Sequence, residues 1–175
     1  TTPRVDNGLY YQLDLTPTVT ELVGGTPSPL WDGRSFAEAF RQGRSDGRPH
    51  LVLSQCAWSC QRSVRFGRWM MIRTYHDGLK DFPPHMLFDV ETDPHEAVNL
   101  AEERPEVVAQ ASELLDEWHA TMMATSTTNA DPMWTVVREG GPLHVRGWLE
   151  RYCKRLRETG RAHHAEALQA RHGGR

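Results

Sequence analysis

The apolar positions of this chain change their period twice. Leu13, Val19, Leu22 and Val23 surround a Thr16-Pro17 step, where Thr suits a helix N-cap, Pro suits the first helical position and Gly24-Gly25 supplies a stop. A short helix is expected over 17–23, with room for a start one turn earlier. "TPSPLWDGRSF" is a loop by its proline and glycine content, after which Ser35 can cap a second short helix through Phe36, Ala39 and Phe40, ending near Gly43. Residues 44–49 form a polar connector. From His50 aromatic and β-branched residues come in strand-length runs, "HLVLSQC", "RSVRF" and "RWMMIRTY", with Gly67 as the hairpin turn between the last two. "HDGLKDFPPH" is a loop and "MLFDV" supplies one more strand. The pattern is that of a small antiparallel sheet with one covered face.

Helical spacing then returns. After Pro105, a good first-turn residue, Val107, Val108, Ala111, Leu114, Leu115, Trp118 and Met122 recur on one face and supply the cover. Asn99-Leu100-Ala101 makes a turn ahead of this helix, with Glu102, Glu103 and Glu106 near its positive end. "STTNADP" reads as a linker, "MWTVVREGGP" as a helical turn stopped by two glycines, and "VRGWLERYCKRLRETG" as an amphipathic helix using Leu149, Cys153 and Leu156. A last helix covers Ala162 to Ala170. The fold class is α+β: a small antiparallel sheet covered by a long helix, preceded by short helices and followed by a helical tail.

Composition narrows the function classes. A chain of 175 residues with 38% hydrophobic and 25% charged residues and a net charge of -3 has no basic excess that would point to nucleic acid. No apolar run approaches the roughly 18 to 20 residues of a membrane span. The first residues lack a signal-peptide layout, and a start at Thr1 without an initiator Met suggests a missing N-terminal portion. Three cysteines make no disulfide framework, so Cys56, Cys60 and Cys153 read as thiols of a reducing compartment, the cytoplasm. Residues 138–175 carry nine Arg and Lys against four Glu, which allows a solvated helical face, a subunit contact or an anionic-ligand surface.

Local motifs do not establish catalysis. Cys56, Arg62 and Ser63 have the Cys-x5-Arg-Ser/Thr spacing of cysteine phosphatases, where a thiolate, an arginine and a loop of N–H groups cradle a phosphate. The loop here lacks glycine, Trp58 would crowd a phosphate, and the chain after Arg62 reads as strand. No second cysteine pair joins Cys56 and Cys60 for zinc. His76, His85 and His95 lie in or beside the loops that follow the sheet strands. Gln55, Gln61, Arg62 and His76 are the candidate pocket-lining residues. Arg62 has two readings, a salt bridge within the sheet or a partner for an anionic substrate group.

Four segments stand in an order that carries a family resemblance. "LDLTPTVTELVGGTPSPLWDGRSFAEAF" holds an Asp-Leu-x-Pro-Thr helix, a small apolar turn and Asp-Gly-x-Ser; "SVRFGRWMMIRTY" is an Arg-bearing strand that turns at Gly and returns through an aromatic. "MLFDVETDPHEAVNL" holds Leu-Phe-Asp, Asp-Pro-x-Glu and Asn-Leu, and "DPMWTVVREGGPLHVRGWLERYCKRLRETGR" follows as a helical tail. Together they resemble the C-terminal portion of the sulfatases, in the alkaline phosphatase-like superfamily, with a tail like that of one bacterial branch. Met70 departs from the family, standing where many relatives carry Lys.

The resemblance implies three parts: residues 1–48 as the end of a large α/β domain, 49–124 as the C-terminal α+β subdomain and 125–175 as a helical extension. It implies a sulfuric ester hydrolase as the parent protein, with a formylglycine nucleophile made from Cys/Ser-x-Pro-x-Arg and a divalent cation, calcium, both in a missing N-terminal domain. The nearest spacing here, Cys153-Lys154-Arg155-Leu156-Arg157, lacks the proline. No catalytic or metal-binding residue is therefore expected in this chain, which alone would be inactive. Its partners would be that N-terminal domain and, in the complete protein, a sulfate ester; neither nucleic acid nor membrane is expected, and homo-oligomerisation stays open. The alternatives are a non-catalytic interaction module or degenerate remnant and, less favoured, a cysteine phosphatase using Cys56 and Arg62. Under the first reading the apolar side of 13–23 would lose its cover and stand exposed.

Overall fold

The computed structural model describes residues 3–173. The chain start at Thr1 and the last tail residues, Gly174 and Arg175, lie outside the described residues. The chain forms two compact units that divide between Leu51 and Val52.

In the first unit a short 3-10 turn, Gln12–Asp14, leads into α1 (Leu15–Leu22), and α2 (Ala37–Gln42) follows a loop. The helix starts before Pro17 because the first amides of a helix have no intrahelical partner, so a proline anywhere in that turn breaks no bond. Buried Asp14 organises the unit. Its carboxylate accepts the N–H groups of Tyr11 at 2.9 Å and Arg34 at 2.6 Å, and pairs with Arg48 at 2.6 Å. Thr18 extends this knot by donating to the Asp14 carbonyl and accepting from the Phe36 N–H. Ser35 Oγ accepts from the Ala37 N–H, but the N-cap of α2 is Phe36, one residue later than expected. Leu13, Leu15, Val19 and Val23 stay exposed.

The second unit is built on a sheet ordered β1-β2-β3-β4, with β1 His50–Gln55, β2 Cys60–Phe66, β3 Trp69–His76 and β4 His85–Asp89. The pairs β2–β3 and β3–β4 are antiparallel, and Phe66 faces Trp69 across the Gly67 turn. Helix α3 (Pro105–Thr125) covers the sheet, packing Ala111 and Leu115 on Val52, Val64, Phe66, Met71 and Leu87. Met122, expected on the covered face, is 44% exposed. Twenty-one residues make a helix of about 31 Å, longer than strands of five to eight residues at about 3.3 Å each, so its last turns overrun the sheet.

The segment from β4 to α3 is a set of side-chain caps. Asp89 pairs with Arg68, whose hydrogen bond is the main reason that the Asp89 carboxyl falls to about 2. Asp93 accepts the Val98 N–H, and Asn99 Oδ1 accepts the N–H groups of both Leu87 and Ala101. These polar residues satisfy backbone donors that strand and helix leave open, which explains the Asp…Asp-Pro…Asn pattern without any ligand.

The tail comprises α4 (Pro132–Arg138), a 3-10 turn over Leu143–Val145, α5 (Leu149–Glu158) and α6 (Ala162–His172). It is docked, not trailing. Met133 and Val137 of α4 bury with Cys60, while Leu156, Cys153, Ala165 and Leu168 bury with Leu79 of the β3–β4 loop. Asp131, expected within a linker, is the N-cap of α4 and is buried. Helix α6 runs two residues past its expected end because Arg171 and His172 both reach Asp77. Among the described residues no helix is long and apolar enough to cross a membrane.

Candidate anion-binding groove

Helix α5 has two working faces. Leu149, Cys153 and Leu156 turn inward, whereas Trp148, Arg151, Tyr152 and Arg155, at i, i+3, i+4 and i+7, form the neighbouring stripe. That stripe makes one side of a groove of about 570 Å³, within the roughly 300–1,000 Å³ of small-molecule sites. The β1–β2 loop contributes Trp58, the β3–β4 loop Lys80 and the turn before α5 His144.

The groove is held open by its own contacts. Lys80 Nζ donates to the Trp58 carbonyl at 2.7 Å and to the Gly78 carbonyl at 3.2 Å, and stands 5.6 Å from the Trp58 ring centre. Burial holds the Lys80 amine below the ordinary lysine value, with Asp77 pulling the other way. The two loops approach so closely that a Cβ on Gly78, which takes φ +65°, would overlap the Trp58 carbonyl. His144 meets Trp58 edge-on at 5.2 Å, and the Arg151 guanidinium lies 4.7 Å above the Trp148 ring. Trp58 is nevertheless 65% exposed, Trp148 47% and Tyr152 40%. None of the lining residues is acidic, and among the described residues neither Arg151 nor Arg155 makes an ion pair.

The residues singled out from the sequence lie elsewhere. Gln55 and Gln61 belong to one polar string: Gln55 Nε2 donates to Ser59 Oγ and Gln61 Oε1, Ser59 Oγ donates to Gln61 Oε1, and Gln61 Nε2 donates to Thr74 Oγ1. Arg62, 7% exposed, has its Nη2 at 2.8 and 2.7 Å from the two Asp131 oxygens, between the rings of Tyr75 and Trp118. Its ion-pair partner is the cap of α4, while its Nε also reaches Ser54 Oγ of the neighbouring β1 at 3.4 Å. His119 Nε2 lies 3.0 Å from the same carboxylate. For Asp131, burial acts most strongly and upward, but Arg62, the Met133 N–H and His119 together hold it below the usual carboxylate range. His76 is buried beside His172, ring centres 4.8 Å apart, and its Nδ1 accepts the Gly78 N–H. It borders a smaller cavity of about 170 Å³ with Asp77, Arg171 and His172.

The cysteines sit in the interior or at its margin. Burial, reinforced by neighbouring Cys56, pushes the Cys60 thiol up to about 12, which keeps it protonated. After Arg62 the chain continues as β2, where a phosphatase loop would lead into a helix. Cys153, the head of the nearest formylglycine-like spacing, is fully buried with its Sγ 3.6 Å from the Ala165 carbonyl. Among the described residues no group of three His, Cys, Asp or Glu side chains is arranged to hold a metal ion, so the divalent cation that the resemblance implies does not fit here.

Of the groove residues, Trp58 is marked in the sequence only as an obstacle to phosphate, while Arg151 and Arg155 fall in the basic stretch 138–175, for which an anionic-ligand surface is one of three readings. The usable signal was the spacing of Trp148, Arg151, Tyr152 and Arg155 beside a separate apolar stripe.

No family model matches the chain, and no curated protein matches it. Solved structures do. BT4656, solved in complex with its substrate D-glucosamine-2-N,6-O-disulfate, matches with a TM-score of 0.52 and 17% identity over 65% of this chain and 24% of its own. A Bacteroides thetaiotaomicron structure designated BT33336S-sulf matches with 0.48 and 23% over 64% and 25%; yidJ of Bacteroides fragilis, provisionally described as a sulfatase, matches with 0.45 and 19% over 60% and 23%. The chain thus spans about a quarter of the length of these structures. Over that 65% of the chain, its α+β fold is shared with a part of BT4656.

Proposed function

We propose that this chain is the C-terminal part of a sulfatase, a sulfuric ester hydrolase, in which it supplies substrate-pocket walls and stability while the nucleophile and metal come from the rest of the protein. The observation that carries the reading is the fold shared with a quarter of BT4656, together with the family-like order of the sequence segments. The exposed Leu13, Leu15, Val19 and Val23 support it, since an apolar stripe at the edge of a large domain would be covered by that domain. Sulfuryl transfer needs an activated nucleophile and fixed positive charge on the transferring group, which this reading assigns to the rest of the protein; the thiol at the nearest motif, Cys153, is buried.

The substrate of BT4656 makes a sulfated sugar the class to test first. The chain by itself is expected to release no sulfate from 4-nitrophenyl sulfate or from a sulfated glucosamine, with or without calcium. The protein encoded by the uninterrupted gene is expected to carry Cys/Ser-x-Pro-x-Arg upstream and to turn over at least one of them. Turnover by the chain alone would overturn the reading, as would an upstream frame without that motif.

A further inference from the structure

We infer that the groove between α5 and the β1–β2 and β3–β4 loops is a binding site for an anionic sugar, a pyranose unit carrying sulfate or carboxylate. The site is assembled by this chain's own residues, so the inference stands whether or not the chain belongs to a sulfatase.

Three features point to a ligand. First, the walls are basic: Lys80, Arg151 and Arg155 line one cavity with no carboxylate among its walls, and among the described residues neither arginine makes an ion pair. Arg151 and Arg155 are four apart on α5, an arrangement that destabilises a helix through like-charge repulsion. Five arginines of the unit, Arg62, Arg68, Arg73, Arg146 and Arg171, are ion-paired, whereas the two that share this cavity are not. Second, the aromatic rings are exposed but not loose. Trp58 is fixed by Lys80 and His144, and Trp148 by Arg151, so flat apolar surfaces are presented at little further loss of side-chain freedom. Third, the loop carrying Lys80 is held in an unfavourable backbone state. Leu79 and Asp81 on either side of it take φ of +63° and +59°, and such strain persists only where surroundings over-determine it.

The ligand class follows from these walls. Rings of Trp and Tyr accept the C–H face of a pyranose by stacking. A guanidinium standing over an indole ring still has N–H groups to offer two oxygens of one anion, which favours sulfate or carboxylate over a neutral sugar. With a chain charge of -3, the basic character is local to the groove and does not suit a nucleic-acid track.

The test is a titration of the intact chain followed by tryptophan fluorescence. The probes are a sulfated glucosamine disaccharide, a glucuronate-containing unsulfated disaccharide, a neutral disaccharide, 4-nitrophenyl sulfate and inorganic sulfate. Saturable binding of either charged disaccharide, with the neutral one at least about tenfold weaker, is the expected result, and the two charged arms tell a sulfate group from a carboxylate. The double variant Arg151→Gln/Arg155→Gln should weaken that binding by about 30-fold or more, as expected for losing charge-assisted hydrogen bonds. Should that variant not fold, movement of the Trp58 and Trp148 indole N–H signals of the unaltered chain in NMR reads the same contact. Binding of neither charged disaccharide at 10 millimolar (~10 mM being beyond any useful affinity) overturns the inference. So does inorganic sulfate or 4-nitrophenyl sulfate binding as tightly as the sugars, or titration unaffected by the double variant. A failure here leaves sulfate release by the complete protein, the test of the sulfatase reading, untouched.

Discussion

Arg62 and Arg151 lie in the same compact unit, and each guanidinium stands near an aromatic ring, yet they are in opposite electrostatic settings. Arg62 is buried against Asp131, and His119 and the Met133 N–H complete that carboxylate's shell. Arg151 has only the ring of Trp148 and open solvent. The difference is one acidic side chain. An arginine whose charge is answered inside the protein fastens elements together; one whose charge is unanswered at a cavity wall is available to something outside.

Removing the answered charge should have the largest effect. Asp131→Ala leaves a buried guanidinium without a counter-ion and strips α4 of its N-cap, and a loss of about 3–5 kcal/mol is expected from the broken pair. The measurement is urea denaturation, read as a fall in midpoint at unchanged slope. Replacing both partners, Arg62→Met with Asp131→Leu, should restore most of the stability because no uncompensated charge is left. If single and double variants are equally damaged, the pair is not what fastens α4 to the sheet.

Gly141 offers the next largest effect. It takes φ +93°, and a Cβ there would overlap the buried His76 ring. Gly141→Ala should cost about 2–3 kcal/mol, from backbone strain and from overpacking, in the same denaturation experiment. The groove is expected to loosen with it, because Gly141 leads into the turn that carries His144 and accepts Arg146.

Acid should act on the answered charges. Burial, the largest single influence on Asp77, raises its pKa, but Arg171, the Leu79 N–H and His172 outweigh it and hold the carboxyl below its ordinary value. Asp131 is depressed in the same sense. A carboxylate with a lowered folded pKa binds fewer protons when folded, so its contribution is complete above the unfolded value of about 3.9 and is lost as pH falls through the folded value. The stability that these two carboxylates supply should therefore be constant above about pH 4 and fall below it. Asp77→Asn should flatten part of that drop, a result read from melting curves at a series of pH values.

These contacts show what the sequence could reveal and what it could not. The strands, the Gly67 turn and the covering helix were legible because their apolar residues repeat at the period of the element, so a local pattern states a local structure. Asp131 was read as linker, although an Asp before a Pro at the head of an apolar run is itself a helix-start signal. Its partner Arg62 lies 69 residues away, and no periodicity records such a pairing. The docking of the tail was hidden for the same reason, since it rests on Asp77 with Arg171 and on Leu79 with Leu156 and Leu168. Gln55, Gln61, Arg62 and His76 stand out in the sequence as polar residues near loops, and polarity alone does not separate a side chain aimed at a cavity from one already bonded to its neighbours.

The smallest expected effect is the sharpest test of the comparison. Arg151→Gln and Arg155→Gln, singly or together, should change stability by no more than about 0.5 kcal/mol, the usual range for surface positions without partners. For Arg155→Gln the sign should favour the variant, because two like charges four apart on α5 repel one another and Gln keeps good helix propensity, whereas Arg151→Gln also gives up the contact with the Trp148 ring. An increase that shrinks as salt is added would identify that repulsion as its source, since exposed charges are screened over about 10 Å at 0.1 M salt. A loss of several kcal/mol would instead place these arginines beside Arg62 as structural members of the fold, and the groove would lose its claim to spare charge.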